Sequence, residues 1–420
     1  MSESESSGNG ALLGFDEAAA TVATWAERWS GSAAGETVAL AEAAGRVLAQ
    51  PIAADEDQPP FARSTRDGFA CRAAEANGRG WLQVAGQTHA GQAPGGPLPD
   101  GAAWEIMTGA PVPEGAEAVA MLEHVEHEGA QVRLLKPRTL EAGENIVAKG
   151  AQAHADDVLL EPGATLGAAQ IALAATCGLA TLKVFRRPRV AILTTGDELI
   201  PVEAKPGPGQ IRNSNGPMLA ALVAAAGGEP WVLPRAADTA KALNRALEGA
   251  LAVPAGTQML LVSGGVSAGK FDLVEPALER HGARFHFTGV RMQPGKPLVF
   301  GELPGGLPFF GLPGNPVSTA VTFLVFGATV LGALAGRRTR GPRFALAELA
   351  EAVKAKPGLT RFLPALWEPE PAAGQMPRVR TVSWQGSGDQ AAFARSNCFV
   401  LVPEAAGVLE AGAMVRILIP

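Results

Sequence analysis

The residues with the clearest potential for chemistry lie in the stretch 263–272 (SGGVSAGKFD). The mostly apolar residues 258–262 before it predict a buried strand, and a helical pattern begins directly after it. A strand that breaks into glycines before a helix lies at the carboxyl edge of an open α/β sheet, where such folds bind ligands. Adjacent glycines let an anion approach the backbone, and Asp272 adds a carboxylate that could hold a cation. The stretch therefore predicts a site for a phosphate-bearing ligand and a metal.

Three more loops rich in Gly and Pro border predicted strands of the same region, at residues 194–199 (TTGDEL), 293–297 (QPGKP) and 311–316 (GLPGNP). Because the carboxyl ends of parallel strands share one edge of a sheet, we expect these loops to converge there.

The charged residues of these loops suit a phosphate and a hard cation. Mg²⁺ prefers oxygen ligands and binds through one or two carboxylates plus substrate phosphates, which Glu198, Asp238 and Asp272 could supply. Lys296 would neutralise phosphate charge. Each feature also has a simpler interpretation, since a Gly-Gly pair is often only a turn and Asp238-Thr239 could simply cap the next helix.

The length, composition and charge of the chain limit the classes of protein to which it can belong. The chain has 420 residues, 47% of them hydrophobic, which predicts two to four globular domains. A formal net charge of −6 argues against a nucleic-acid-binding protein. The three cysteines are far apart and predict no disulfide framework or cysteine zinc site, as expected for a reducing cytoplasm. The polar, acidic start lacks the features of a signal peptide.

Strand and helix patterns divide the chain into an α/β region flanked by β-rich parts. Alternating strands and helices after residue 188 predict a doubly wound, mostly parallel sheet. The domains predicted are a disordered tail (1–12), a helical N-terminal domain (13–50 and 144–185), an inserted β module (51–143), a central α/β domain (186–340) and a small C-terminal β-barrel (341–420). Within the N-terminal domain, helices are predicted at 15–29, 37–49 and 167–177.

The uncharged apolar run 317–336 is long enough to cross a bilayer. Asn315 and Pro316 form a typical helix start just before it, and a predicted strand precedes them. We therefore expect a helix buried in the core or in a subunit interface, and no membrane association.

Taken in order, these motifs resemble the molybdopterin molybdenumtransferase family (MoeA and the E domain of gephyrin). The resemblance covers nearly the whole chain after about residue 12. It implies a central domain similar to MoaB and MogA. The segments that carry it are residues 60–70, 107–113, 143–146, 195–199, 209–215, 263–267, 294–297 and 311–316.

The resemblance implies the last step of molybdenum cofactor synthesis. Adenylylated molybdopterin and molybdate would be the substrates, Mg²⁺ would assist cleavage of the adenylate, AMP would leave, and molybdenum would stay on the dithiolene. The implied catalytic residues are Asp67, Thr108, Glu198, Asp238 and Asp272, of which the last three would also bind the metal. The implied substrate-binding residues are Ser263, Gly264, Gly265, Ser267, Lys296, Pro313 and Pro316.

The resemblance also implies an elongated homodimer. The β module of one subunit would face the α/β domain of the other, so that Asp67 and Thr108 would complete the partner subunit's site. A molybdopterin adenylyltransferase and molybdoenzymes are expected as transient partners.

Two other functions remain open at this point. A molybdopterin adenylyltransferase shares the central fold, although a single-domain version would lack residues 51–143 and the C-terminal barrel. A scaffold role like that of gephyrin is the second.

Departures from the family pattern are Gln293, where members more often carry Lys or Arg, and Gln152, which replaces an acid. Arg291 is near enough in sequence to compensate for Gln293.

Overall fold

The computed structural model describes residues 12–30, 34–78, 80–252, 256–265, 273–338, 340–368 and 376–420. A six-stranded sheet forms the centre of the α/β region. The four neighbouring strands at one side of it are parallel, and one strand further along runs antiparallel to both of its neighbours. The mostly parallel central sheet predicted from the sequence is confirmed. The spatial order of its strands is Glu229–Val232, Arg189–Thr194, Met259–Ser263, Leu307–Leu312, Val299–Leu303 and Arg284–Thr288.

Helices cover both faces of this sheet because its central strands are apolar on both sides. Val190 and Ile192 pack into one hydrophobic core, while the alternate residues Ala191 and Leu193 pack into another. The first core holds helices Asn215–Ala225, Pro316–Thr322 and Ala328–Leu334, and the second holds Ala240–Leu251 and Val274–Arg280.

The apolar run after residue 316 forms the central helix of the first core. A π-helical turn, Phe323–Gly327, joins its two α-helical parts. Asn315 occupies the N-cap position and Pro316 begins the helix, as the sequence predicts. The helix Pro316–Leu334 has a mean hydropathy of 2.0, yet 94% of its apolar window is buried inside the fold. The prediction of a buried helix is therefore confirmed.

Helix Phe15–Glu27, predicted from the sequence, packs onto the central domain. The Phe15 ring lies 5.7 Å from that of Phe326 and 5.3 Å from that of Phe362, which belongs to the C-terminal barrel. This helix thus connects the cores of the central domain and the barrel.

The predicted helix at residues 37–49 is wrong. Gly35–Ala39 is a strand paired with Thr181–Phe185, and Leu40–Glu42 is a short 3₁₀ turn. Gly45 then has φ +75°, a left-handed conformation that a helix interior does not accept. Pairing with the distant strand Thr181–Phe185 overrides the local helical propensity of this Ala-rich segment.

The rest of the N-terminal region contains less helix than predicted. Helix Ala168–Thr176 is present close to its predicted position. Before it, residues 144–167 form mainly turns and two short strands: Ile146–Val147 pairs with Arg63–Ser64, and Val158–Leu160 pairs with Ile52–Ala53, both antiparallel.

The β module consists of a second six-stranded sheet and helix Ala73–Gly78. Its strands, in spatial order, are Ala118–Met121, Gly68–Cys71, Ala102–Ile106, Trp81–Thr88, Gln131–Leu134 and Val125–Glu128. This sheet has a hydrophobic core of its own around Phe69 and Leu82.

The C-terminal region forms the expected small barrel. Five strands close on themselves in the order Thr360–Glu368, Arg378–Thr381, Arg343–Leu349, Met414–Ile419 and Cys398–Val402, with the last pairing back to the first. Met292–Gln293 adds to Thr360–Glu368, which ties the barrel to the central domain. Helix Gln390–Arg395 and the pair Val353–Lys354 with Val408–Leu409 complete it.

A histidine lies where helix Phe15–Glu27 meets the edge strand Arg284–Thr288. The ring of His286 stacks on Trp25 with 3.8 Å between centroids. Arg28 lies over the Trp25 ring at 4.4 Å, and Arg284 lies over it at 5.6 Å. Burial lowers the pKa of His286, and the two arginines lower it further while Glu302 acts in the opposite direction.

We expect this contact to weaken in mild acid. Between the lowered folded-state pKa of His286 and the ordinary value of 6.5, the unfolded chain holds more protons, so stability falls as pH drops below 6.5. Hydrogen exchange of helix Phe15–Glu27 should therefore be faster at pH 5.5 than at pH 7.5, after correction for intrinsic rates. His286→Phe keeps an aromatic ring and should remove this pH dependence; an unchanged dependence in that variant would contradict the assignment.

Candidate functional site

The loops predicted to converge at the carboxyl edge of the central sheet do so. They line a cavity of about 1210 Å³, which we call the main cavity. Thr194, Ser263 and Leu312 end neighbouring parallel strands there, and the loop after each of them reaches the cavity. The loop 293–297 forms another side.

The glycines of the Ser-Gly-Gly loop are required by backbone geometry. Gly264 has φ +98°, and a Cβ there would lie 2.5 Å from the carbonyl oxygen of Thr195. Gly265 has φ +65°, and its Cβ would lie 2.9 Å from Val274. The Gly264 N–H already donates to the Leu312 carbonyl at 3.1 Å, so it is committed within the fold. The glycines therefore shape the cavity by allowing close backbone contact.

Ser263, predicted to bind the ligand, is only 2% exposed. Its Oγ accepts a hydrogen bond from Asn215 Nδ2 at 2.9 Å. The same Nδ2 donates to the Gly314 carbonyl at 2.7 Å, and Thr319 Oγ1 donates to the Pro313 carbonyl at 2.5 Å. This buried network holds the loops that follow strands Met259–Ser263 and Leu307–Leu312 at a fixed spacing.

Asp238 reaches the cavity through a reciprocal contact between two loops. Its Oδ1 accepts from Thr195 Oγ1 at 2.6 Å and its Oδ2 from the Asp197 N–H at 3.1 Å. In return, the Asp238 N–H donates to Asp197 Oδ1 at 3.1 Å. The capping role belongs to the next residue, since Thr239 Oγ1 accepts from the N–H of Ala242. The sequence left open whether Asp238 only caps the helix, and the structure shows that it does not.

Glu198 is exposed at the mouth of the same cavity. Its carboxylate folds back over Gly196, where an added Cβ would lie 2.7 Å from each of its oxygens. Gly196 also has φ +148°. Only glycine leaves both the backbone and the Glu198 carboxylate in this position.

Lys296 and Gln293 lie on the loop 293–297, which contains the cis peptide bond between Gln293 and Pro294. Both side chains are exposed to the cavity. Arg291, expected to compensate for Gln293, does not line the cavity: its Nε donates to Glu404 at 2.9 Å and its Nη1 to the Leu12 carbonyl at 2.6 Å. That expectation is wrong, because this guanidinium is used to attach the N-terminal segment to the barrel.

The C-terminal barrel supplies a wall of the cavity that the sequence analysis missed. Asn315 Nδ2 donates to Ser387 Oγ at 2.9 Å, and the Val317 N–H donates to the Ser387 carbonyl at 3.0 Å. The glycine-rich turn 385–388 was the available signal, but nothing local links it to the central domain. Arg212 was also missed as a lining residue, although it lies in a motif that carries the family resemblance. The barrel residues that line the cavity are Leu359, Trp384, Ser387, Gly388 and Gln390.

Asp67 and Thr108 form a pair in the β module. Asp67 Oδ1 accepts from the Thr108 N–H at 2.6 Å and from its Oγ1 at 2.9 Å. These two hydrogen bonds lower the pKa of Asp67. The structure therefore brings the two together, but no described residue of the β module lines the main cavity of the same chain.

Two predicted residues, Ser267 and Asp272, lie outside the described residues. Of the predicted metal ligands, Glu198 and Asp238 line the main cavity. Within the described ranges, no three acidic, histidine or cysteine side chains are grouped closely enough to hold a metal ion. Pro313, Pro316 and Lys296 line the cavity, as do the two glycines of the Ser-Gly-Gly loop.

A cleft at the carboxyl edge of an α/β sheet, lined by both cations and carboxylates, defines a class of proteins that bind anionic ligands at that edge. The families that match cover most of the chain. "MoeA N-terminal region (domain I and II)" matches residues 13–178, "Probable molybdopterin binding domain" matches 191–333, and "MoeA C-terminal region (domain IV)" matches 347–419.

Individual relatives agree with these matches. The molybdopterin molybdenumtransferase of Haemophilus influenzae is 34% identical over 388 residues, covering 91% of this chain and 93% of that protein. The protein of the same name from a Nostoc species is 38% identical over 308 residues, covering 72% and 70%. A crystal structure of the molybdopterin biosynthesis MoeA protein from Pyrococcus horikoshii OT3 is 27% identical with a TM-score of 0.80, covering 98% and 100%. The chain therefore belongs to the molybdopterin molybdenumtransferase family and is a transferase.

Proposed function

We propose that this chain transfers molybdenum from molybdate to adenylylated molybdopterin and releases AMP with the help of Mg²⁺. The observation that carries this proposal is that the cations Lys296 and Arg212 and the carboxylates of Glu198 and Asp238 line one cavity of about 1210 Å³, large enough for a dinucleotide-sized substrate. The adenylyltransferase and scaffold alternatives receive no support from the relatives, which are named as molybdenumtransferases.

The cations of the cavity would bind the anionic substrates. Lys296 is exposed, and no ion pair involves its ammonium group in the part of the chain that is described. Its charge is available for a phosphate or for molybdate. The Arg212 Nε donates to the Ala204 carbonyl at 3.0 Å, which fixes the guanidinium at the cavity rim. Positioning two substrates and neutralising their charge would supply most of the rate.

The carboxylates suit Mg²⁺. Glu198 is exposed, and each Asp238 oxygen accepts a single hydrogen bond from the described residues, which leaves further lone pairs for a ligand. Hard cations with one or two carboxylate ligands and substrate phosphates are the common arrangement for Mg²⁺. When bound, the cation would neutralise the phosphate oxygens of the link to AMP. Asp272 is proposed as a further ligand on the family resemblance alone.

We further propose that the active unit is a homodimer. Asp67 and Thr108 hold each other in a defined geometry but do not line the cavity of their own chain. An ordered, exposed acid and hydroxyl of this kind suit a site completed by the β module of a second subunit. Transient contact with a molybdopterin adenylyltransferase and with molybdoenzymes, in the cytoplasm, would deliver the substrate and receive the product.

Release of AMP tests the proposed reaction. The purified protein should release AMP from adenylylated molybdopterin when both molybdate and Mg²⁺ are present, and omission of either should suppress the release. Tungstate in place of molybdate shows whether the oxyanion is selected. If no AMP and no active cofactor form under complete conditions, the proposal is wrong.

Because Gln293 is uncharged, we expect molybdate to bind weakly beside it and to bind more tightly when a positive charge is placed there. Gln293→Lys adds a cation to the cavity and should lower the KM for molybdate by about two- to fivefold, as expected for an exposed ion pair. The gain should shrink in 0.5 M salt because exposed charges are screened. Gln152→Lys, at an exposed position outside the cavity, is the matched control, and an equal effect of both variants would contradict the prediction.

A further inference from the structure

A second cavity lies at the outer edge of the central sheet, beside the edge strand Glu229–Val232 and helix Ala240–Leu251. Its volume is about 710 Å³, within the range of pockets that hold small molecules. We call it the edge cavity. All of its lining residues lie between positions 231 and 249, and none of them lines the main cavity. Asp238, which lies between two of them in sequence, lines the main cavity instead.

All the charged side chains that line the edge cavity are cations. Arg235, Lys241 and Arg245 line it, and no carboxylate does. The chain as a whole carries a formal charge of −6, so these three cations make a local positive site, although Arg235 also lies 3.9 Å from Asp197 Oδ1. Such a field attracts anions, and a phosphate group is the anion that two or three such side chains commonly bind.

Two of these cations lie in an arrangement that costs stability. Lys241 and Arg245 are four residues apart on one helix, where like charges repel. Both are exposed, and within the described ranges neither forms an ion pair. An anion bound between them would offset the repulsion.

An aromatic ring and apolar side chains form the remaining lining. Trp231 lines the cavity, and the Arg189 guanidinium lies over its ring at 4.6 Å. Leu233 and Ala246 contribute apolar surface. The Arg189 guanidinium covers one face of the ring, so a planar heterocycle would pack on the part of the indole that lines the cavity, whereas an inorganic anion would leave this surface unused. The lining thus combines a stacking surface with a phosphate-binding edge.

We propose that the edge cavity binds a phosphorylated aromatic heterocycle of the nucleoside monophosphate type, with the ring at Trp231 and the phosphate at Lys241 and Arg245. This proposal does not depend on the reaction proposed for the main cavity.

Arg235 connects the two cavities. While it lines the edge cavity, its Nη1 donates to the Gly196 carbonyl at 3.1 Å and lies 3.9 Å from Asp197 Oδ1. Gly196 lines the main cavity next to Glu198. A guanidinium has five N–H donors, so Arg235 can contact a phosphate and retain the Gly196 contact. A ligand that contacts Arg235 in the edge cavity would therefore be linked, through the Gly196 hydrogen bond, to the loop that carries Glu198.

Binding of AMP, measured by calorimetry on the whole protein, tests the proposal. Adenosine and ribose 5-phosphate each lack one half of the ligand and should both bind at least tenfold more weakly at this site. Lys241→Ala with Arg245→Ala should remove one class of AMP site and leave any site in the main cavity. Lys183→Ala with Lys354→Ala, two exposed cations that line neither cavity, should change nothing.

The location is tested separately by photolabelling with 8-azido-AMP and peptide mapping. Label on residues 231–237 or 239–249 that disappears in the Lys241/Arg245 double variant supports the site, whereas Asp238 belongs to the main cavity. Label confined to main-cavity peptides, or unchanged AMP binding by the double variant, overturns it. Equal affinity for ribose 5-phosphate and AMP would also overturn the proposed role of Trp231.

Discussion

Glu198→Gln should lower kcat/KM for AMP release by about 10²–10³-fold, the usual cost of removing one group that stabilises charge in a transition state. The substitution preserves shape and removes one negative charge at the mouth of the main cavity. Because the side chain is exposed, the fold should be unaffected. The variant should also need more Mg²⁺ for half-maximal rate, a change that a purely structural role would not produce.

A matched control for this variant lies on the next loop. Glu203 is exposed and does not line the cavity, so Glu203→Gln should release AMP at the wild-type rate. If both variants lose activity equally, or if Glu198→Gln retains wild-type activity with an unchanged requirement for Mg²⁺, the role proposed for Glu198 is wrong.

Mixing two inactive variants should restore activity if the site is shared between subunits. Asp67→Asn affects the β module and Glu198→Gln affects the main cavity. In a heterodimer, one site would carry both substitutions and the other would carry neither. Random pairing of equal amounts gives half heterodimers, so the mixture should recover about a quarter of wild-type activity, following the symmetry of a twofold interface.

The control for this experiment is a mixture in which both variants affect the same part. Asp67→Asn mixed with Thr108→Val should stay inactive, because each heterodimer has no intact β module. Recovery in this control, or no recovery in the first mixture after subunit exchange has been verified, would contradict a shared site.

Local patterns predicted most of the central domain. Strand Arg189–Thr194 and helix Asn215–Ala225 follow the alternation of strands and helices predicted after residue 188, because apolar periodicity is the main local signal of secondary structure. The segment 37–49 is an example in which the local pattern predicts the wrong secondary structure. Its Ala-rich composition favours a helix, and only the pairing of Gly35–Ala39 with Thr181–Phe185 makes it a strand.

For the functional site, too, some features follow from the sequence and others only from the tertiary structure. The sequence by itself determined that Gly-rich loops border predicted strands and that Glu198, Asp238 and Lys296 lie on or beside such loops. Where parallel strands end, their loops share one edge of the sheet. Only the tertiary structure decided that Arg291 binds Glu404 and that Ser263 is buried in a network.

The wall contributed by the barrel was likewise decided by tertiary structure alone. Ser387 meets Asn315 across 72 positions of sequence, and no local pattern encodes such a contact. Hydrogen bonds within a loop depend on the residues beside it, whereas contacts between domains depend on the packing of surfaces that are distant in sequence. The sequence thus determined which groups stand at the edge of the sheet, and the packed fold decided which of them face the cavity.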